Sequence, residues 1–153
     1  MNGVANAREA AGAAATVEAA LRAGLESLCG KAGWPLARLT WLGEDAPFEL
    51  WTVRPGLESV RLAWAAAGPR ASWAARAAAA GRPVHCDLQF VPPDFADRAR
   101  EAGLRYAIAF PLFDGTDVAG AVEVCAREPA QPEALVRAGV ALGAIVHGKQ
   151  REV

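Results

Sequence analysis

Three cysteines and two histidines, together with one glutamate set inside an apolar strand, are the side chains that put chemistry within reach. Cys29, Cys86 and Cys125 are candidate nucleophiles or metal ligands, and His85 and His147 are candidate bases or ligands. Their spacing argues against both uses. His85 and Cys86 are neighbours on a short apolar strand, where adjacent side chains point to opposite faces. No C-x-x-C or H-x-x-x-H spacing occurs, so no metal site is expected. A nucleophile elbow, a phosphate-cradling glycine loop and a kinase signature are all missing, and no residue is assigned a catalytic role. The cysteines read as small buried hydrophobes. His147 falls near the end of the last helix, where a cation suits the helix dipole.

Glu123 is the exception. It lies in GLRYAIAFPLFDGTDVAGAVEVCA (residues 103–126), which reads as two strands folded back about Gly115-Thr116. That turn pairs Leu112 with Ala119, Phe110 with Ala121 and Ile108 with Glu123. Alternation then places Tyr106, Ile108, Phe110, Leu112, Ala119, Ala121, Glu123 and Cys125 on one face. The other face carries Ala107, Ala109, Pro111, Gly120, Val122 and Val124, all small or apolar and suited to close packing by helices. A carboxylate on the first face needs a partner or a raised pKa, because unpaired burial is costly. Three readings stand: an ion pair with Arg38 on an adjacent strand, a group that binds a ligand's donor, or exposure at a sheet edge. Trp34, Trp41, Trp51, Trp64 and Trp73 add aromatic surface. Trp41 and Trp51, on neighbouring strands, read as core.

The elements that must position these residues follow from local pattern. From Thr16, TVEAALRAGLESLCGKAG carries a capping threonine, an apolar face and a closing glycine, which predicts a helix. Residues 1–15 read as a frayed terminus or the end of an upstream helix, and 16–150 as one domain. PLARLTWL and FELWTV, separated by GEDAP, read as a hairpin. Residues 58–80 read as two helices broken at Gly68-Pro69, RPVHCDL as a short strand and PPDFADRAREAG as a helix started by proline. Gln131 to Lys149 closes the chain as a long helix. This order predicts an α+β domain with a mostly antiparallel sheet.

The two terminal helices carry apolar seams. Val17, Leu21 and Leu28, with Ala14 and Gly24, line the first. Leu135, Ala138, Leu142 and Ile145 line the last, and a second line of Val136, Val140 and Ala144 is left to face the domain's own sheet. The first set of seams is the candidate interface of a homodimer.

Composition sets the bounds. A chain of 153 residues, 53% hydrophobic and 22% charged, is that of one globular domain. A formal net charge of -1, with arginines spread along the chain, favours neither nucleic acid nor an anionic membrane as partner. No apolar run approaches the roughly 20 residues that a membrane span needs. An odd set of three cysteines and no secretory start predict reduced thiols and a cytoplasmic location.

Several stretches in order resemble the GAF domain, a sensing and dimerising module of signalling proteins. They are AAGRPVHCDL, then DFADRAREAGLRYAIAFPL, then GTDVAGAVEV, within a likeness that runs from about Thr16 to Gly148. It is nearest the GAF domains found beside PAS domains and histidine kinases in bacteria. The resemblance implies a GAF/PAS-like antiparallel sheet of five to six strands, terminal helices on one face and a helical lid on the other. It also implies a pocket under that lid, and Trp64, Trp73, Tyr106, Ile108, Phe110, Glu123 and Cys125 are the candidate lining. Trp64 and Trp73 either wall such a pocket or fill it. AGPRASWAARAAA replaces the family's usual glycine-rich turn, and the motifs that hold cyclic nucleotides or a bilin are missing; haem is no better supported. The implied function is a sensory or regulatory domain that binds an unknown small molecule, or dimerises, and relays a signal through its terminal helices to a downstream domain or kinase. The alternatives are a ligand-free dimerisation module, or a cysteine-dependent reductase of free methionine sulfoxide.

Overall fold

The Ala-rich start of the chain belongs to the first helix. The computed structural model describes residues 2–42, 48–88 and 91–151, with side chains described over 17–42, 48–88 and 91–146. In it α1 runs Asn2–Ala32 and passes straight through Thr16, so Thr16 caps nothing. Alanine is the best helix former, and two isolated glycines in the first turns do not outweigh the run. The remaining elements are β1 Leu36–Trp41, β2 Phe48–Val53, α2 Glu58–Ala67, a 3-10 turn Gly68–Ala71, α3 Ala74–Ala80 and β3 Val84–Cys86. α4 Pro93–Glu101, β4 Tyr106–Asp114, β5 Asp117–Ala126 and α5 Pro132–Arg151 follow. Each expected element is present; the GEDAP turn and the side chain of His147 lie outside the described residues.

Among the described residues the five strands form one antiparallel sheet in the order β2-β1-β5-β4-β3. α1 and α5 cover one face, over a core that includes Leu21, Leu25, Leu39, Phe110, Val122 and Leu142. α2, α3 and α4 cover the other, over Trp64, Trp73, Phe95, Ala107, Ala121 and Cys125.

The β4–β5 hairpin corrects the expected register. The turn is as read, with Asp114 opposite Asp117 and Phe113 opposite Val118. A bulge follows, leaving Ala119 unmatched, so that Leu112 pairs with Gly120, Phe110 with Val122, Ile108 with Val124 and Ala109 with Glu123. One inserted residue moves every later partner to the other face. Ile108 and Phe110 therefore point to α1 and α5 and leave the candidate pocket, while Tyr106 is 39% exposed. Glu123 and Cys125 stay on the lid side with Ala107 and Ala109.

The helical seams are corrected in the same way. Val17, Leu21, Leu135, Ala138 and Leu142 are buried within the chain, and Leu28 and Ile145 are half-buried against that same core. They close α1 and α5 onto each other and onto the sheet, so this set is spent on the chain's own core. Val136 and Val140, expected to face the sheet, are 44% and 54% exposed. Both lines have helical spacing, so period alone could not assign the inner one. What assigns it is glycine. A Cβ built on Gly139 or Gly143 would collide with the backbone carbonyls of Pro111 and Phe113, and one on Gly24 would sit 2.6 Å from the Ile145 side chain. Only the glycine-bearing face of α5 can approach β4 this closely.

Two substitutions test this packing with opposite signs. Gly143→Ala meets backbone that cannot yield, and should lower stability by about 2–3 kcal/mol. Gly30→Ala, whose Cβ meets nothing within 4 Å, should raise it by up to about 1 kcal/mol through helix propensity. Urea denaturation of both variants reads the result; a neutral Gly143→Ala would mean that α5 does not sit in this notch.

Candidate functional site

Strand pairing builds a row of lid-facing residues across the sheet. Trp51 on β2 stands opposite Arg38 on β1, Arg38 opposite Glu123 on β5, and Glu123 opposite Ala109 on β4. Arg38 and Glu123 are 6% and 0% exposed. Two charges withdrawn this far from water must satisfy each other. They do so through a fork: Arg38 Nε donates to Glu123 Oε1 at 2.9 Å and Nη2 to Oε2 at 3.0 Å. Of the three readings of Glu123, the structure draws the ion pair.

The pair also ties down the lid. The Trp73 backbone N–H donates to Glu123 Oε2 at 2.8 Å. Arg38 Nη2 and Trp64 Nε1 both donate to the Ala71 carbonyl, at 3.1 and 2.7 Å. The end of the 3-10 turn and the start of α3 thus present one acceptor, the Ala71 carbonyl, and one donor, the Trp73 N–H, to the sheet. Among the described residues no buried side-chain nitrogen or oxygen lacks a partner. At the outer end Arg38 Nη1 lies 3.9 Å from the Glu49 carboxylate, which also accepts from Trp51 Nε1 at 3.0 Å.

Aromatic rings fill the rest. The Arg38 guanidinium lies 4.7 Å from the Trp64 ring centre and 5.1 Å from that of Trp51, within cation–π range. Trp64 stacks on Phe95 at 5.6 Å and 7°, and meets Trp51 edge-on at 5.3 Å and Trp73 at 6.0 Å. Small residues on the sheet, Ala107, Ala109 and Ala121, make room for these large lid residues. Of the candidate pocket lining, Trp64, Trp73, Glu123 and Cys125 come together here, but as packing: both Glu123 oxygens are taken by protein donors. Trp51, Phe95 and the Ala71 carbonyl were not foreseen. The hairpin register would have found Trp51 opposite Arg38, whereas the other two depend on how the lid docks.

The cysteines sit where thiolates are disfavoured. Burial pushes the Cys29 thiol up to about 11 and the Cys86 thiol up to about 12. Burial raises Cys125 further, and the neighbouring Glu123 adds to it. A nucleophilic cysteine needs the opposite shift, so the burial of these thiols does not favour the reductase reading.

An open concavity lies elsewhere, beside the short edge strand β3. It is a cleft of about 890 Å³ between β3 and α4, reached by His85, Asp87, Asp97, Arg100 and Arg105 at its rim.

The ion pair generates a testable ledger. Glu123→Gln leaves Arg38 charged and underpaired in the interior and should cost about 3 kcal/mol, with Arg38→Met costing a similar amount. Joining Arg38→Met to Glu123→Leu should recover most of that loss, because a matched apolar pair replaces a matched charged one. Denaturation midpoints of the wild type, Arg38→Met, Glu123→Leu and their double variant give the coupling; strictly additive losses would mean that the two side chains act independently.

No protein-family model matches the chain, and no curated protein matches it in sequence. Solved structures do match in shape. The photoproduct state of a GAF domain from Synechocystis superposes with a TM-score of 0.62 at 14% identity, covering 89% of this chain and 96% of that one. A domain assigned to a two-component sensor histidine kinase of Sinorhizobium meliloti superposes at 0.54 and 12% identity, over 88% and 90% of the two chains. A phycoerythrobilin-bound GAF domain of a cyanobacterial phytochrome does so at 0.54 and 9% identity, over 92% and 93%. This chain folds as a GAF domain.

Proposed function

We propose that the chain is a regulatory domain of a signalling protein that acts as a homodimer through its terminal helices, with no ligand under its lid. Its fold is shared with a domain of a sensor histidine kinase, and such a role suits a module whose two longest helices lie side by side. The lid-side interior, where a ligand pocket was expected, is occupied by the Arg38–Glu123 pair and the rings of Trp51, Trp64, Trp73 and Phe95. Regulation then runs through surfaces. A partner bound at α5 shifts the relative position of the paired helices, and the next domain or kinase reads that shift.

The observation that carries this reading is the exposure of Val136 and Val140, one turn apart on α5, at 44% and 54%. Ala144 extends the line by a further turn and is also exposed. The inward side of the same helix is held by the glycine notch, so this line is free to meet a second copy. A two-fold axis along it would bury the same four valines from both copies, a self-complementary contact.

Sedimentation equilibrium tests the proposal. The wild type should be a dimer at micromolar concentration. Val136→Glu with Val140→Glu should be a folded monomer, since its charges cost nothing until a partner buries them. Leu142→Glu, which buries a charge inside the chain, should unfold it instead. A monomeric wild type, or a double variant that stays dimeric, would end this reading.

A further inference from the structure

We propose that the free edge of β2 adds a strand from a second copy of this chain, run antiparallel about a two-fold axis at Trp51. The sheet ends in β2 and β3, and these edges are built differently. β3 spans only Val84–Cys86, with Pro83 before it and Asp87 after it, a short and charge-flanked form that discourages pairing. β2 runs Phe48–Val53 as FELWTV, without proline or lysine and rich in strand-forming residues. Its ladder to β1 is fixed by the bonds that flank it. The Arg54 N–H donates to the Pro35 carbonyl, and the Leu42 N–H to the Ala119 carbonyl. Antiparallel pairs alternate, so Leu50 and Thr52 bond inward to Leu39 and Ala37, while the N–H and C=O of Glu49, Trp51 and Val53 point outward. Among the described residues no backbone group meets them.

Side chains choose the occupant. Glu49, Trp51 and Val53 share the lid face, and the Glu49 side chain is 49% exposed. Arg61 reaches over from α2, its guanidinium 5.7 Å from the Trp51 ring centre, and it makes no ion pair among the described residues. About the proposed axis Trp51 lies opposite Trp51, and Glu49 of each copy opposite Val53 of the other. Each Glu49 is then the diagonal neighbour of the other copy's Trp51, within reach of the Arg61 that covers that ring. Acid and base thus cross-pair while the outward N–H and C=O groups bond in turn. A parallel copy would set Glu49 beside Glu49. With a single strand a side, the contact belongs to the weak end of interfaces. It is separate from the α5 contact, does not rest on it, and joins such dimers only at higher concentration.

Amide hydrogen exchange of the full chain, followed by NMR, tests this, because strand addition marks alternate residues. At about 1 mM, exchange at Glu49, Trp51 and Val53 should be about threefold slower than at about 50 μM, as a dissociation constant of about 0.1 mM gives. Leu50 and Thr52, already bonded to β1, should exchange alike at both concentrations. Arg61→Glu should remove the concentration dependence, and joining Glu49→Arg to it should restore it with the charges exchanged. Far-UV circular dichroism checks that both variants are folded, and the wild-type exchange stands without them. The proposal is overturned by outward amides that exchange at one rate at both concentrations. A fast common rate means a bare edge, and a slow one means that a segment of the same chain covers it. A folded double charge reversal that fails to restore the dependence overturns it as well. Dimerisation through α5 is read separately, at micromolar concentration, by Val136→Glu with Val140→Glu, so the two contacts can fail independently.

Discussion

A buried arginine must be answered by a buried acid, and on the lid side of this sheet that demand organises the structure. Arg38 and Glu123 face each other across β1 and β5, so their pairing and the strand register require each other. A slip of one residue between β1 and β5 would send one of the two charges to the face covered by α1 and α5, where the core is apolar, and leave the other unpaired. The pair adds little net stability over an apolar pair of the same shape. What it adds is selection among packings. The Glu123 Oε2 that accepts from Arg38 Nη2 also accepts from the Trp73 amide, and that same Nη2 also donates to the Ala71 carbonyl, so a lid docked differently loses both contacts.

The two faces of the sheet solve close packing in opposite ways. Toward α1 and α5 the sheet presents bulk, with Ile108, Phe110, Leu112, Val122 and Val124, and the helix yields space through Gly139 and Gly143. Toward the lid the sheet is shaved to alanine and the helices bring tryptophan and phenylalanine. Both faces are thereby rigid contacts. Motion of α5 against β4 is not a soft mode, because its glycines rest on backbone. A displacement imposed on the terminal helices is carried to the sheet, and through the ion pair to the lid.

The fold class and the order of elements were legible because each element carries its own punctuation: the Gly33 and Gly103 stops, the Pro93 start, the Gly115 turn. The GAF-like segments then ordered the layers. The candidate site was half legible. Glu123 stood out as an acid on an apolar face, and Arg38 was its natural neighbour. The β4 half of the pocket failed on one residue: the bulge at Ala119 leaves no mark in composition, since Ala119-Gly120-Ala121 fits either register. The helical seams failed for a related reason. Leu135 and Val136 both begin apolar lines, and the choice between them rests on backbone clearance at Gly139 and Gly143, which hydrophobic period does not encode. Filling of the interior was undecidable from Trp64 and Trp73 alone, because their placement depends on the 3-10 turn and on contacts with Phe95 that lie far off in sequence.

If the ion pair locks the lid to the sheet, the lid has no private opening. Native-state hydrogen exchange at the Trp73 amide reads this directly, because that N–H is donated to Glu123. The expected result is an opening free energy equal to that of the central-strand amides of Leu39 and Val122, falling in step with them as denaturant is added. An opening several kcal/mol cheaper than theirs, with weak denaturant dependence, would show a lid that lifts on its own and would contradict a closed interior.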